Sequence, residues 1–321
     1  MNLLQRVAFD VSRKLLITLT GTGADRSRAM NDLHHKLSNR LHRKLGIFGL
    51  AGETRIALKN LPGKTLRMLA EDGGVAHQFL VYGKYEPFES ALVMAAIVPG
   101  DTILNIGANL GYYTILAAAA TGEEGRVVAF EPSATNAILL KKNIADNHFR
   151  NVTVREEAVS DREGSLKLYL SKTNSGDHQI YSSDESRQFQ EVCTVRLDDV
   201  IRSTTLTPSL VIMDVQGAEA QVLRGFRTYL ANRQRHPIAM FLEFGPRNLS
   251  NAGDSADALL DLLAEFNLRY VVIDERKRIL RSLDKETLIG ETTGHNEKNL
   301  LVFDAHYESE FLTRMHAVAG P

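Results

Sequence analysis

The stretch Pro99–Tyr113, PGDTILNIGANLGYY, carries three consecutive signals. Pro99-Gly100 mark a turn, Thr102–Ile106 is a short apolar run suited to a buried strand, and Gly107 ends it. Gly107, Ala108, Asn109, Leu110 and Gly111 then form a tight turn, and the apolar run Tyr112–Ala120 continues as a helix. Strand, glycine turn and helix make the opening unit of a doubly wound sheet, in which ligands sit at the carboxyl ends of the strands. Glycine lets the backbone approach a ligand closely. A ligand-free turn would use the same two glycines, so the turn alone decides nothing.

The next strand decides more. Arg126–Phe130, RVVAF, is continuous and β-branched, as a strand covered on both faces should be, and it ends in Glu131-Pro132. An acid at the tip of the second strand, about 20 residues beyond the glycine turn, is placed to accept both hydroxyl protons of an adenosine ribose. G-x-G-x-x-G is absent, because Asn109 stands where a dinucleotide fingerprint needs its second glycine. A ligand with adenosine but no pyrophosphate fits better, and S-adenosylmethionine is one. A nicotinamide-dependent oxidoreductase is the rival reading.

Several strings in order carry a family resemblance. GDTILNIGANLGYYTILAA, VVAFEP, LLKKNIADNH and VREEAVSDREGSLKLYLS resemble the FkbM family of S-adenosylmethionine-dependent methyltransferases. So do GKYEPFE (Gly83–Glu89), NSGDHQI (Asn174–Ile180), VRLDDVI (Val195–Ile201), IMDVQGAEAQVLRGF (Ile212–Phe226) and MFLEF (Met240–Phe244). The resemblance spans roughly half the chain. It implies an α/β, Rossmann-like class I methyltransferase fold, with a seven-stranded sheet and helices on both faces. The implied reaction is methyl transfer to a hydroxyl of a sugar, glycolipid or secondary metabolite. Two positions depart from the family pattern: Asn105 stands where Asp is usual, and Gln216 where Glu is common. Asn105 can still hydrogen-bond the methionine ammonium, without a charge.

The resemblance also assigns site residues. Asn105, Gly107, Ala108, Asn109, Gly111, Tyr112, Glu131 and Pro132 surround the cofactor, with Glu157-Ala158 against the adenine and Tyr85-Glu86 over the methionine end. Asp214 borders the same site. A hydroxyl acceptor needs a base. Its candidates are Asp214 and Glu243 at strand ends, and His178, whose imidazole titrates near pH 7 beside Asp177 in a polar loop. A catalytically inactive adaptor built on the same core is the third class of reading. No metal is expected, since His34, His35 and His42 lack carboxylate neighbours at ligand spacing. No Asp/Asn-Pro-Pro-Tyr/Phe signature of amino-methylating enzymes follows the fourth strand, where Asp214-Val215-Gln216-Gly217 stands.

Composition bounds the partners. With 38 basic against 39 acidic residues the chain as a whole has no field for nucleic acid, and Trp is absent. The single cysteine, Cys193, excludes an internal disulfide, fits a cytoplasmic protein and reads as a buried structural thiol. Residues 1–67 concentrate thirteen Lys or Arg against four acids. An amphipathic helix is predicted over Asn2–Leu19 and a second over Ser27–Leu45, so 1–75 reads as a basic, mostly helical cap. Docking of this segment on an anionic membrane surface is the sharper alternative.

The methyltransferase domain is then expected over 76–310 and a tail over 311–321. Leu61–Leu80 reads as strand and turn, and Phe88–Ile97, Thr135–Asn147, Ala218–Tyr229 and Ser255–Phe266 as helices. Val152–Val154, Leu210–Met213 and Ile238–Leu242 read as core strands, with Arg269–Ile273 and Asn299–Phe303 a late antiparallel pair. Ser165–Leu170 and Val192–Leu197 are extra strands flanking a polar loop, Ser171–Gln190. A loop this long in a compact domain is usually functional.

Overall fold

The computed structural model describes residues 52–172, 174–182, 187–233, 236–294 and 296–319. The expected helices over 2–19 and 27–45, with the membrane docking ascribed to them, lie outside these residues.

The chain enters as an antiparallel hairpin, β1 (Glu53–Ala57) and β2 (Thr65–Leu69). Helices α1 (Val75–Tyr82) and α2 (Pro87–Ala96) follow, so the second half of Leu61–Leu80 is helix rather than strand. Two strand–helix steps and a third strand build the first half of the core: β3 (Thr102–Ile106) and α3 (Tyr112–Thr121), β4 (Arg126–Phe130) and α4 (Ala134–Asp146), then β5 (Val152–Arg155). A small sheet comes next, from β6 (Ala158–Val159), β7 (Gly164–Tyr169) and β8 (Phe189–Val195), followed by α5 (Leu197–Thr204). The second half of the core contains β9 (Leu210–Met213), α6 (Glu219–Gly225), α7 (Arg227–Asn232), β10 (Ala239–Phe244), α8 (Pro246–Asn251) and α9 (Ala256–Glu265). The chain closes with β11 (Leu268–Asp274), β12 (Ile279–Arg281), α10 (Lys285–Glu291), β13 (Lys298–Asp304) and α11 (Glu308–Ala319).

The main sheet has the order β12-β11-β13-β10-β9-β3-β4-β5. Strands β10, β9, β3, β4 and β5 run parallel, and β13 pairs antiparallel with both β10 and β11. This is the expected doubly wound architecture with eight strands instead of seven. The extra one is β12, which the left-handed Arg278 (φ 56°) folds back onto the end of β11. Helices cover both faces: Leu104 and Ile106 pack with α6 and α9, whereas Ile103 packs with α2, α3 and α11. Residues 311–319, expected as a tail, belong to α11, whose Met315 is fully buried.

The hairpin is held by two asparagines one turn apart, Asn143 in the last turn of α4 and Asn147 at its C-terminal cap. Asn147 Oδ1 accepts from Thr65 N–H (2.8 Å) and its Nδ2 donates to Thr65 O (2.8 Å); Asn143 does the same with Arg67, at 2.6 and 2.9 Å. Their carboxamides thus do for the edge of β2 what a neighbouring strand would.

Two further expectations are corrected. Cys193 is exposed, because alternation along β8 turns Val192 and Thr194 inward and Cys193 outward. The single helix over Ala218–Tyr229 is broken at Phe226, and Asp198 caps the second piece by accepting from Thr228 and Tyr229 N–H, each at 2.9 Å. Among the described residues no helix is long and apolar enough to cross a membrane.

Candidate active site

Two left-handed turns at the carboxyl ends of neighbouring parallel strands shape the cleft. After β3, Gly107 takes φ +78°, and a Cβ there would overlap the carbonyl oxygen of Asp214 at the end of β9. Asn109 (φ 51°) and Gln216 (φ 51°) are also left-handed. Non-glycine residues held in this region carry backbone strain, which clusters at functional sites. Gly111 has a different role: a Cβ there would collide with Leu140 of α4, so this glycine serves helix packing.

Three adjoining cavities open here. The smallest, about 70 Å³, is lined by Gly107, Glu131, Pro132, Glu157, Ala158 and His178, among others. Glu131 at the tip of β4 accepts from Asn109 N–H (2.7 Å) and Ser133 N–H (2.9 Å). Burial nevertheless pushes its carboxyl up to about 7, against the pull of those two bonds. Glu157 forms a bidentate pair with Arg155 (2.6 and 3.2 Å), which lowers its pKa.

A second cavity of about 80 Å³ lies under α2 and α3, lined by Tyr85, Glu86, Glu89, Asn105, Tyr112 and Tyr113 as well as Ala108. Asn105 Nδ2 donates to Thr114 Oγ1 (2.8 Å), which leaves Oδ1 as the acceptor for a ligand. Glu86 is the left-handed residue (φ 37°) before α2 and accepts from Tyr113 Oη (2.6 Å). Burial, with Asp214 and Glu275 nearby, raises its pKa to about 7. Glu89, one turn on, is pushed well up by burial and accepts from Asn299 Nδ2. Tyr112 turns its hydroxyl away to Ser90 (2.8 Å) and Asn60 (2.9 Å).

The third cavity is the largest, about 530 Å³, and is walled by Asp177, Arg187, Asp214, Glu243, Arg247 and Glu297, among others. Gln216 Nε2 donates to Asp214 Oδ1 and to Glu243 Oε2, each at 2.7 Å, so one carboxamide ties two strand-end acids together. Burial raises both carboxyls, Glu243 most strongly with Asp214 and Glu297 close by. Asp214 and Asn109 line all three cavities.

The polar loop forms the roof. Ser175 N–H donates to Asp72 Oδ2 (3.1 Å), Asn136 Nδ2 to Ser175 O (3.0 Å), and Ser175 Oγ to Asn109 Oδ1 (3.3 Å). Asp72 Oδ1 also accepts from Gly74 N–H (2.6 Å), and any side chain at Gly74 would overlap Asn174. The loop places His178 on the Glu131 cavity and not on the large one. His178 Nδ1 accepts from Ser171 N–H (3.1 Å), so the neutral ring carries its proton on Nε2 and has no free acceptor. That tautomer does not suit the base role expected of it, and leaves Asp214 and Glu243.

Sequence reasoning missed Glu89, Asn299, Glu297 and Asp72. Glu89 was within reach, lying three residues after Glu86 on one helical face. The others come from distant segments and carry no local signal. Among the described residues no cluster of His, Cys, Asp or Glu is arranged to hold a metal ion.

No curated protein matches the sequence. Solved structures with a similar fold include an S-adenosylmethionine-dependent O-methyltransferase from Thermotoga maritima, with 12% identity over 71% of this chain and 70% of that one, TM-score 0.38. Precorrin-6y C5,15-methyltransferase from Geobacter metallireducens shows 15% identity over 68% and 88%, TM-score 0.38. TYW2 from M. jannaschii, in complex with AdoMet, shows 13% identity over 79% and 85%, TM-score 0.39. The family described as Methyltransferase FkbM domain matches residues 105–271, from Asn105 in β3 to Val271 in β11. That span is more than half of the 321 residues and includes the turns at Gly107 and Gln216, Glu131, the loop with His178, Asp214 and Glu243. The chain belongs to the FkbM methyltransferase family.

Proposed function

We propose that the protein transfers a methyl group from S-adenosylmethionine to a hydroxyl of a sugar, glycolipid or other polyhydroxylated metabolite. The observation that carries this reading is the position of Asp214, where the three cavities meet. The donor and acceptor groups of the cleft suit the cofactor in charge. Glu131 offers acceptor oxygens for a ribose diol, and the cavity under α2 offers Asn105 Oδ1 with Glu86 and Glu89 for an ammonium. Among the described residues no Lys or Arg lines that cavity, although Asp214 and Glu243 also border it. Such a site favours a ligand bringing positive charge, and disfavours the pyrophosphate of a nicotinamide dinucleotide.

When bound, the cofactor supplies an electrophilic methyl group on a sulfonium. The chain supplies position and a base. Glu131 and Asn105 orient the two ends, and the acceptor enters through the large polar cavity. A sugar hydroxyl is a poor acid, so its proton leaves as the new C–O bond forms and the old C–S bond breaks. Asp214 receives that proton, and Gln216 holds the carboxylate against Glu243.

Radiolabelled methyl transfer into a host-cell extract tests the reading, with products sorted into glycan, lipid, protein and nucleic acid. Label in glycan, glycolipid or small polyol is expected. Label confined to protein or nucleic acid overturns the acceptor class, and calorimetric binding of NAD without any response to S-adenosylmethionine overturns the cofactor.

A further inference from the structure

A fourth cavity, about 410 Å³, lies beyond the three of the cleft, between the small sheet and the turn after α8. Tyr181 and Asn251 line both it and the large acceptor cavity, so the two lie on either side of one aromatic residue. Tyr181 is held upright there by its hydroxyl, which donates to Asn248 Oδ1 (2.9 Å). Beyond it the walls carry short hydroxyls and carboxamides, from Ser160, Ser165, Thr194, Gln221 and Asn251, together with the exposed charged pair Arg162 and Glu163 and the apolar Leu166 and Ile180. Ser160 Oγ donates to Gln221 Oε1 (3.4 Å), leaving the Gln221 amide nitrogen as a donor.

Donors and acceptors at close spacing, with one cation and one carboxylate of opposite charge beside them, match vicinal hydroxyls better than a ligand of net charge. The walls offer too little apolar surface to hold an acyl chain, and no aromatic pair to clasp a base. Tyr181 offers an apolar ring face with a polar tip, which suits the face of a pyranose.

We propose that this cavity is a second saccharide subsite, holding the sugar unit adjacent to the one methylated in the acceptor cavity. The inference rests on the hydroxyl-acceptor reading above. It makes the acceptor an oligosaccharide or glycan chain at least two units long, read on both sides of Tyr181.

Two variants outside the acceptor cavity test it. Ser165→Phe places a bulky β-former on exposed β7 and fills the subsite, and Gln221→Ala removes its amide donor. Methyl transfer is measured with the glycan that wild-type protein labels, and with the methyl glycoside of its methylated sugar. For each variant KM for the glycan should rise, on the order of tenfold for Ser165→Phe and less for Gln221→Ala, with kcat unchanged. KM for the monosaccharide should stay at the wild-type value, and unchanged melting temperature and S-adenosylhomocysteine binding establish folding. Glycan kinetics unaltered in both variants, or equal losses on glycan and monosaccharide, overturn the subsite alone. Label only in a monosaccharide or small polyol also overturns the subsite alone, whereas label in no glycan, glycolipid or polyol overturns the hydroxyl-acceptor reading and the subsite with it.

Discussion

The two ends of the cleft solve opposite problems. At the end proposed for the ribose one buried carboxylate, Glu131, is anchored by two backbone N–H groups of the glycine turn and the α4 entry. At the end proposed for methyl transfer Glu86, Glu89, Asp214, Glu243 and Glu297 crowd together, and burial raises every one. The first arrangement is complete and fixes a geometry. The second holds repulsion that a cationic ligand relieves, and it keeps one carboxylate at the crossing of the cavities. Binding should therefore depend mainly on the ribose end and turnover on the methyl end.

Asp214→Asn should sharpen that division most. The asparagine keeps an oxygen for Gln216 but accepts no proton, so kcat should fall by about 10²–10⁴-fold while S-adenosylhomocysteine binding changes little. Retained turnover would move the base to Glu243. Glu131→Ala should do the reverse. Cofactor affinity should weaken by about 1.5–3 kcal/mol, the range for hydrogen bonds to a charged group, with kcat largely preserved at saturation. Calorimetry reads the first quantity and saturating kinetics the second.

The pH dependence of binding comes next in size. Glu86 sits near 7, above its ordinary 4.5, so at pH 6 it is mostly protonated and gives an ammonium or sulfonium little attraction. Affinity for S-adenosylmethionine should rise up to about tenfold per pH unit below 7 and level off above it. S-adenosylhomocysteine, lacking the sulfonium, should respond less. Without ligand the sign reverses. Glu86, Glu131 and Glu219 each have folded values of about 7 above an unfolded value near 4.5. The folded state therefore holds more protons between those values. Their contribution is complete below about pH 4.5 and is lost as pH rises through 7. Melting temperatures of the free protein should fall across that window, and saturating cofactor should flatten the fall.

Asp72 is the only acid joining the hairpin side of the molecule to the roof loop in the bonds described, and it lies outside the matched family span. Asp72→Ala frees Ser175 N–H and Gly74 N–H and should loosen the loop. An increase of several-fold in cofactor Kd is expected, about 0.5–1.5 kcal/mol, partly rescued in Asp72→Asn, which keeps one acceptor. Equal losses in both variants would make the contact a matter of stability instead.

The fold was legible because its signals are local. GDTILNIGANLGYY holds a strand, a turn and a helix start within a few residues, RVVAFEP holds a strand and the turn after it, and the structure places β3, β4, α3 and α4 within a residue or so of those expected. The eighth strand was not legible, since Ile279–Arg281 is too short to show alternation. Cys193 was misread because alternation gives two faces without saying which one is covered. In the candidate site, the place of Glu131 at a strand tip beside the glycine turn was legible from spacing. Asp72 and Glu297 were not, because only the folded chain brings them beside Ser175 and Glu243. His178 shows a third kind of difficulty: its position in the roof loop was readable, but its hydrogen bonds were not.

Those hydrogen bonds set the smallest predicted effect. A histidine acts as a base through a nitrogen lone pair, and the one on Nδ1 is taken by Ser171 N–H. Burial also lowers the pKa of the ring, despite Asp177 and Asp72, so at pH 7 it is neutral with its proton on Nε2. In that form it donates, on the wall of the cavity that contains Glu131. His178→Ala should accordingly leave kcat within about threefold of wild type and raise cofactor Kd by a similar factor, as loss of one modest hydrogen bond does. The pH profile of kcat should keep its shape, since no titrating base is removed. A fall of about 10²-fold in kcat at unchanged Kd would restore His178 as the base. It would also require the roof loop to turn the ring out of the Glu131 cavity during turnover, joining the two ends of the cleft in one step.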